Sequence, residues 1–396
     1  MIVLNYLRQG IEKVNQMTIE NLKLLRKELH RYPELSGQEI ETAGRIKKFI
    51  EKYHTAKIIE NIAGNGLAVV HAFSNSGPTI VIRCELDALP IEEDNYFEYR
   101  SSNEGISHKC GHDGHMAIVA GLIYWLKEQD FKNGKVVLLF QPAEETGTGA
   151  PSVLMDDRFS ELNPDYIFAL HNIPRQPLHS IITLNGNFSS TVQSVAIELK
   201  GKESHSAEPE HGVNPALCIA ELIQKFSVLN NNDAGKEDFR LCVPIYSSMG
   251  VKSYGISAGF GEIHYTLRTK SIDKMEGLKQ EVDSILLEVC SKHKLPHTAK
   301  WFDYFPAVVN DEFCTEVITE AAKTYDYDII NKSAPFKFGE DFGWFSERYK
   351  AAMFGIGAGI ESPALHQANY DFPDEIIETG MNMFKGIIDK ILSQKK

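Results

Sequence analysis

The nine residues HKCGHDGHM, 108–116, place four histidine or cysteine side chains and Asp113 together just before an apolar helical pattern. Thiol and imidazole are good ligands for zinc and similar divalent ions. Another reading makes this a polar loop that caps the helix through Asp113. A structural zinc knuckle does not fit, because such sites draw ligands in two close pairs and no second pair occurs. FQPAEE, 140–145, ends an apolar run in Glu144 and Glu145. Adjacent side chains on extended backbone point in different directions, so one carboxylate can hold a metal while the other faces a water. A glutamate pair is also a common solvated turn, but its place at the end of a buried strand favours chemistry. His171 in FALHNIP and His366 in ALHQANYDF follow apolar segments. Each taken singly reads more readily as a surface or hydrogen-bonded core histidine.

These residues need elements to position them. From Thr18 to about Leu184, helical patterns alternate with short apolar runs, which predicts a parallel sheet covered on both faces. Thr79–Cys84, Val136–Phe140 and Tyr166–Leu170 are nearly continuous in apolar residues, as doubly covered strands are. They run into Glu85 and Asp87, into Gln141, Glu144 and Glu145, and into His171, so their carboxyl ends deliver acids and a histidine to one rim. From about Asn185 to Tyr304 the rhythm changes to strand, helix, strand, strand, helix, strand, the split unit of ferredoxin-like domains. Its second helix is expected over Ile272 to about His293, with Ser271 as its cap. After Pro306 the helix and strand alternation resumes and closes in an amphipathic helix near Ile376 to Ile391.

Bulk properties bound the function. The 396 residues exceed the size at which a single core usually keeps growing, so two domains are expected. Hydrophobic residues at 43% and charged residues at 24% describe an ordinary folded globular protein. Against 41 basic residues stand 54 acidic ones, and a net charge of −13 argues against nucleic acid as a partner. No apolar stretch approaches a membrane span, and the amino terminus lacks the apolar core of a secretory signal. Six scattered cysteines read as reduced thiols, so the expected location is cytoplasmic, with no membrane partner.

HRYPELSGQE, RCELDALP, CGHDGHM, FQPAEE, ALHNIP, SHSAEP and LHQANYDF occur in this order across essentially the whole chain. Together they resemble the dinuclear metallopeptidase family that includes aminoacylase and glutamate carboxypeptidase, and within it the amidohydrolases acting on N-acyl amino acids, hippurate and indole-acetyl amino acid conjugates. The resemblance implies an α/β fold with a phosphorylase/hydrolase-like catalytic domain of residues 1–184 and 305–396. Its mainly parallel central sheet would be interrupted by an inserted ferredoxin-like α+β lid, the dimerisation domain, of residues 185–304. It makes Cys110, His112, Glu145, His171 and His366 the ligands of two divalent ions, Glu144 the general base and Asp87 the residue that orients a ligand histidine. His205 is implied to reach the reacting carbonyl, commonly across a homodimer formed through the lid. Arg268 stands where relatives have an arginine linked to the substrate carboxylate, although it reads nearly as well as a strand-end surface arginine. Two features depart from the family pattern. Glu85 replaces the usual aspartate, and the segment 253–268 replaces a common asparagine-containing strand.

The function expected is metal-dependent hydrolysis of the amide bond of an N-acyl amino acid or a related small conjugate. A dipeptidase or carboxypeptidase is the alternative among enzymes. A binding protein that kept the fold and lost catalysis is the alternative of a different class, opposed by the presence of every expected ligand and the base. The donor set admits manganese, zinc, cobalt or nickel.

Overall fold

The computed structural model describes residues 2–393, with side chains from residue 16 onward. Two helices come first, α1 (Ile2–Arg31) and α2 (Ile40–Tyr53). Leu22, Leu25 and Leu29 recur at helical spacing and are fully or nearly fully buried, so α1 turns one stripe to the core. Strands β1 (Lys57–Ile62), β2 (Gly66–Ala72) and β3 (Thr79–Glu85) follow, then helix α3 (His112–Leu126), β4 (Lys135–Gln141), β5 (Tyr166–Ile173) and β6 (Ile181–Thr183). Every residue of β3 is buried, and α3 is buried on nearly all sides, as a helix sandwiched between a sheet and other helices should be.

The chain then builds β7 (Thr191–Lys200), α4 (Ala216–Ser227), β8 (Arg240–Met249), β9 (Phe260–Thr269), α5 (Ile272–His293) and β10 (His297–Phe305). It closes with α6 (Glu312–Thr324), β11 (Ile329–Asn331), β12 (Lys350–Gly357) and α7 (Ile376–Leu392).

Two compact units result. The first comprises Met1–Phe188, Val309–Lys332 and Trp344–Lys396. It holds a mixed eight-stranded sheet in the order β1-β2-β4-β3-β5-β12-β6-β11. The neighbours β4, β3, β5 and β12 are mutually parallel, so β3, β4 and β5 end at the same edge. The strand carrying His171 runs two residues past it, to Ile173. His366 lies nine residues beyond the last residue of β12, in a loop rather than at a strand's end.

The second unit comprises Ser189–Val308 and Ser333–Gly343. Its four strands are all antiparallel in the order β8-β9-β7-β10 with α4 and α5 as the crossovers, which is the ferredoxin-like split arrangement. Helix α5 begins where its sequence directs: the Ser271 hydroxyl accepts from the Lys274 N–H (3.5 Å), and Met275, Leu278, Val282, Leu286 and Val289 form its buried stripe. The excursion Ser333–Gly343 carries no change of rhythm by which sequence could have assigned it to this unit.

Candidate metal centre

Asp113 does not cap α3. The residue before the helix is Gly111, whose left-handed φ of 98° turns the chain from Cys110 into His112. A Cβ at Gly111 would lie 2.5 Å from Asn172 Oδ1, so only glycine fits. Asp113 instead points into the interior and accepts from His30 Nδ1 (2.8 Å). Those partners stand 83 residues apart, so no local pattern could reveal them.

At the rim of the sheet the implied ligands converge. Cys110 Sγ is 3.5 Å from His171 Nε2, and His112 Nε2 is 3.8 Å from Glu145 Oε1 and 3.9 Å from Glu144 Oε2. His366 Nε2 is 3.9 Å from the same Glu145 oxygen. Donor atoms of Cys110, His112 and His171 all lie within 4.8 Å of one another, as do those of Cys110, Glu145 and His366. All five implied ligands and Glu144 therefore share one cluster.

Two of the imidazoles are aimed by backbone. His112 Nδ1–H donates to the Asp87 carbonyl (2.9 Å), and His171 Nδ1–H donates to the Asn172 carbonyl (2.9 Å). Each ring therefore turns Nε2, the nitrogen that would ligate a metal, toward the cluster. Asp87 grips the site at further points: its carboxylate lies 3.5 Å from His112 Nδ1 and accepts from the Glu145 N–H (2.9 Å) and the Ser36 hydroxyl (2.7 Å). Ala143, at φ 55°, makes the bend that leads into Glu144, and its N–H donates to Glu39 (2.8 Å).

The charges call for a cation. His112 Nε2 is buried without a hydrogen-bond partner, facing two carboxylates. Burial would lower this imidazole, but Asp87, Glu85 and Glu145 outweigh it and push it up to about 10. Burial, then the Glu145 and Glu144 carboxylates, raise the Cys110 thiol well above its ordinary value. Burial, aided by His115, lowers His171 to about 3, which keeps it neutral. A divalent ion would reverse the first two, displacing the proton of His112 and stabilising the thiolate. A thiol, three imidazoles and a carboxylate around one small space fit zinc, manganese, cobalt or nickel on donor chemistry.

Several supporting residues had no role assigned from sequence. Glu85 Oε2 accepts from His115 Nδ1–H (2.7 Å), while its other oxygen pairs with Arg83. Burial would raise this carboxyl, yet Arg83 and His115 hold it well below the usual range. His115 Nε2 rests 2.5 Å from Asn172 Oδ1, beside His171. The departure at Glu85 thus reaches the His171 strand through His115. Ser36, Glu39 and His30 all belong to HRYPELSGQE, so that motif was the available signal for them.

In the second unit, His205 is exposed on a two-residue strand paired with Ile256 and Ser257. Its Nδ1 accepts from the Ala207 N–H (3.1 Å), which leaves the ring proton on Nε2. Arg268 is half-buried on β9; its Nη1 donates to the Lys337 carbonyl (2.7 Å), and no described carboxylate pairs with it. Burial lowers its guanidinium from the ordinary value.

An α/β sheet whose carboxyl edge gathers thiol, imidazole and carboxylate donors defines the class of metal-assisted hydrolases. The sequence profile described as Peptidase family M20/M25/M40 matches residues 81–390. An N-acetyl-L-cysteine deacetylase of Bacillus subtilis is 31% identical over 91% of this chain and 86% of its own length. An N-acetyldiaminopimelate deacetylase of the same organism is 28% identical over 93% of this chain and 98% of its own. Among solved structures, a Bacillus subtilis protein described as a dinuclear metal-binding peptidase of the M20 family superposes with a TM-score of 0.80, at 24% identity, over 96% of this chain and 99% of its own. The chain belongs to Peptidase family M20/M25/M40 and is a hydrolase acting on amide bonds.

Proposed function

We propose that the chain removes the acyl group from an N-acylated amino acid, with two divalent ions held by Cys110, His112, Glu145, His171 and His366. The observation that carries this reading is the convergence of these five donors beside Glu144, in a chain whose similar relatives are named as deacetylases of N-acetyl-cysteine and N-acetyldiaminopimelate. When bound, the ions supply Lewis acidity that polarises the amide carbonyl and lowers the pKa of a water.

The chain's own groups do the rest. Glu144, buried beside His112, takes the proton of the attacking water and returns it to the leaving nitrogen. Asp87 holds His112 and the Glu145 backbone in place through the contacts above. His205 offers Nε2–H as a donor to the oxyanion that forms at the carbonyl. Arg268, half-buried without an acid partner, binds the substrate carboxylate. The second unit acts as the lid and joins two copies, and the first unit is the catalytic domain. The six cysteines are all free and buried, which suits the reducing cytoplasm in which we place the protein.

Metal-reconstituted protein assayed against N-acetyl amino acids and dipeptides, with each of the four metals, tests the reading. Release of acetate from the acylated substrates supports it. Cleavage of dipeptides alone moves the substrate to the peptidase side, and no turnover of either class refutes it.

A further inference from the structure

Lys109 precedes Cys110 and is completely buried. Its ammonium donates to Glu93 Oε1 (2.6 Å), Asn95 Oδ1 (2.7 Å) and the Tyr370 carbonyl (2.8 Å), which uses all three of its N–H groups. Its backbone carbonyl accepts from the His366 N–H (2.8 Å). One residue therefore grips the segment 366–370 at both ends, while its neighbour Cys110 belongs to the donor cluster.

That segment needs the grip. His366 lies outside every helix and strand, its side chain is 51% exposed, and its backbone takes φ 64°, a region that non-glycine residues avoid. The same seam continues where the Asp94 N–H donates to the Ala368 carbonyl (2.9 Å) and Asn95 Nδ2 to the Asn369 carbonyl (3.2 Å). Tyr370, fully buried, receives the Asn172 amide on its hydroxyl, which ties it to the strand of His171.

Glu93 is held in turn by His30 Nε2 (2.9 Å), and His30 and Arg26 both reach Asp113. Cations and carboxylates thus alternate from α1 to the loop of Cys110. An apolar residue at 109 would avoid the desolvation penalty of a buried ammonium, so stability alone is a poor reason for lysine here. We infer that Lys109 is a positioning residue of the metal centre, which holds His366 in register with Cys110 and His112. The inference rests on the metal reading proposed above.

Cobalt(II) alone, titrated into the metal-free full-length chain and followed by calorimetry and visible absorption, tests it. Wild type takes two ions, and His366→Ala loses one of them. The double variant Lys109→Met, Glu93→Gln removes the charge together with its partner. It is expected to bind the His366-dependent ion about 10- to 100-fold more weakly and the other ion as wild type does, with the metal-free form melting as before. Unchanged affinity for both ions overturns the proposal. So does an equal loss on both that follows a lower melting temperature, which would make Lys109 merely structural. If the double variant does not fold, Asn95→Ala decides: a loss confined to the same ion supports the proposal, and wild-type binding overturns it. If instead His366→Ala binds both ions as wild type does, the metal reading itself falls and the role of Lys109 with it.

Discussion

Glu144 and Glu145 are adjacent, yet the reaction asks different things of them, and substitution should separate the two. Glu144→Gln keeps the size and the hydrogen-bonding shape but cannot take a proton. It is expected to retain the metal content and lose about 10²- to 10⁴-fold in kcat. Metal analysis beside steady-state kinetics checks this, and a variant that kept its kcat would remove Glu144 from the mechanism. The pH dependence of metal uptake belongs at the same scale. With His112 raised to about 10 and the Cys110 thiol pushed well above its ordinary value by burial, both carry protons near neutral pH in the metal-free protein. Both protons must leave before the donors can ligate. Affinity is therefore expected to strengthen as pH rises from 6 toward about 10, by up to about one decade per pH unit for each proton released. Calorimetry in buffers of different ionisation enthalpy counts those protons, and a flat affinity over that range would contradict the assignment.

At the scale of elements, the site depends on how α3 starts. Gly111 takes φ 98° and its α-carbon faces the Asn172 amide, so Gly111→Ala strains the turn between two implied ligands. The expected penalty is about 1–3 kcal/mol of stability, read from denaturant unfolding of the metal-free protein, together with weaker metal binding. Normal stability and normal binding would show that the turn tolerates a side chain. This turn also marks how far the sequence was legible. β3, β4 and β5 could be read because strands covered on both faces are apolar throughout, and α5 because a buried stripe recurs at helical spacing. The three-residue strands β6 and β11 are too short to show a period. His112 and the glutamates could be proposed from local spacing, whereas His366, on an irregular loop, entered through the family resemblance. Lys109 had no signal, since a lysine reads as surface until its three acceptors, drawn from 14 to 261 residues away, are seen together.

At the scale of the whole molecule, the chain passes four times between its units, and the first two crossings are clamped. Gly186–Asn187 pairs with Val309–Asn310, and Asn310 Nδ2 donates to the carbonyls of Leu184 (2.9 Å) and Met353 (2.8 Å). Beyond the crossings, β8 forms one edge of the four-stranded sheet and leaves Val243, Ile245, Tyr246 and Met249 exposed, Ile245 by 62%. A long apolar edge is a template for pairing with another chain unless something covers it. On the proposed joining of two copies through the second unit, a second copy of the same strand would cover this edge, and a two-fold axis would set like residues near like. Ile245→Glu would then place one carboxylate of each copy in an apolar seam. The net charge of −13 per chain already opposes association, and salt screens that repulsion, so the wild-type dimer should tighten with added salt while the variant stays monomeric. Light scattering at low and high ionic strength distinguishes these outcomes. A wild-type monomer at tens of micromolar protein, or a variant that dimerises as well as wild type, would remove this edge as the interface.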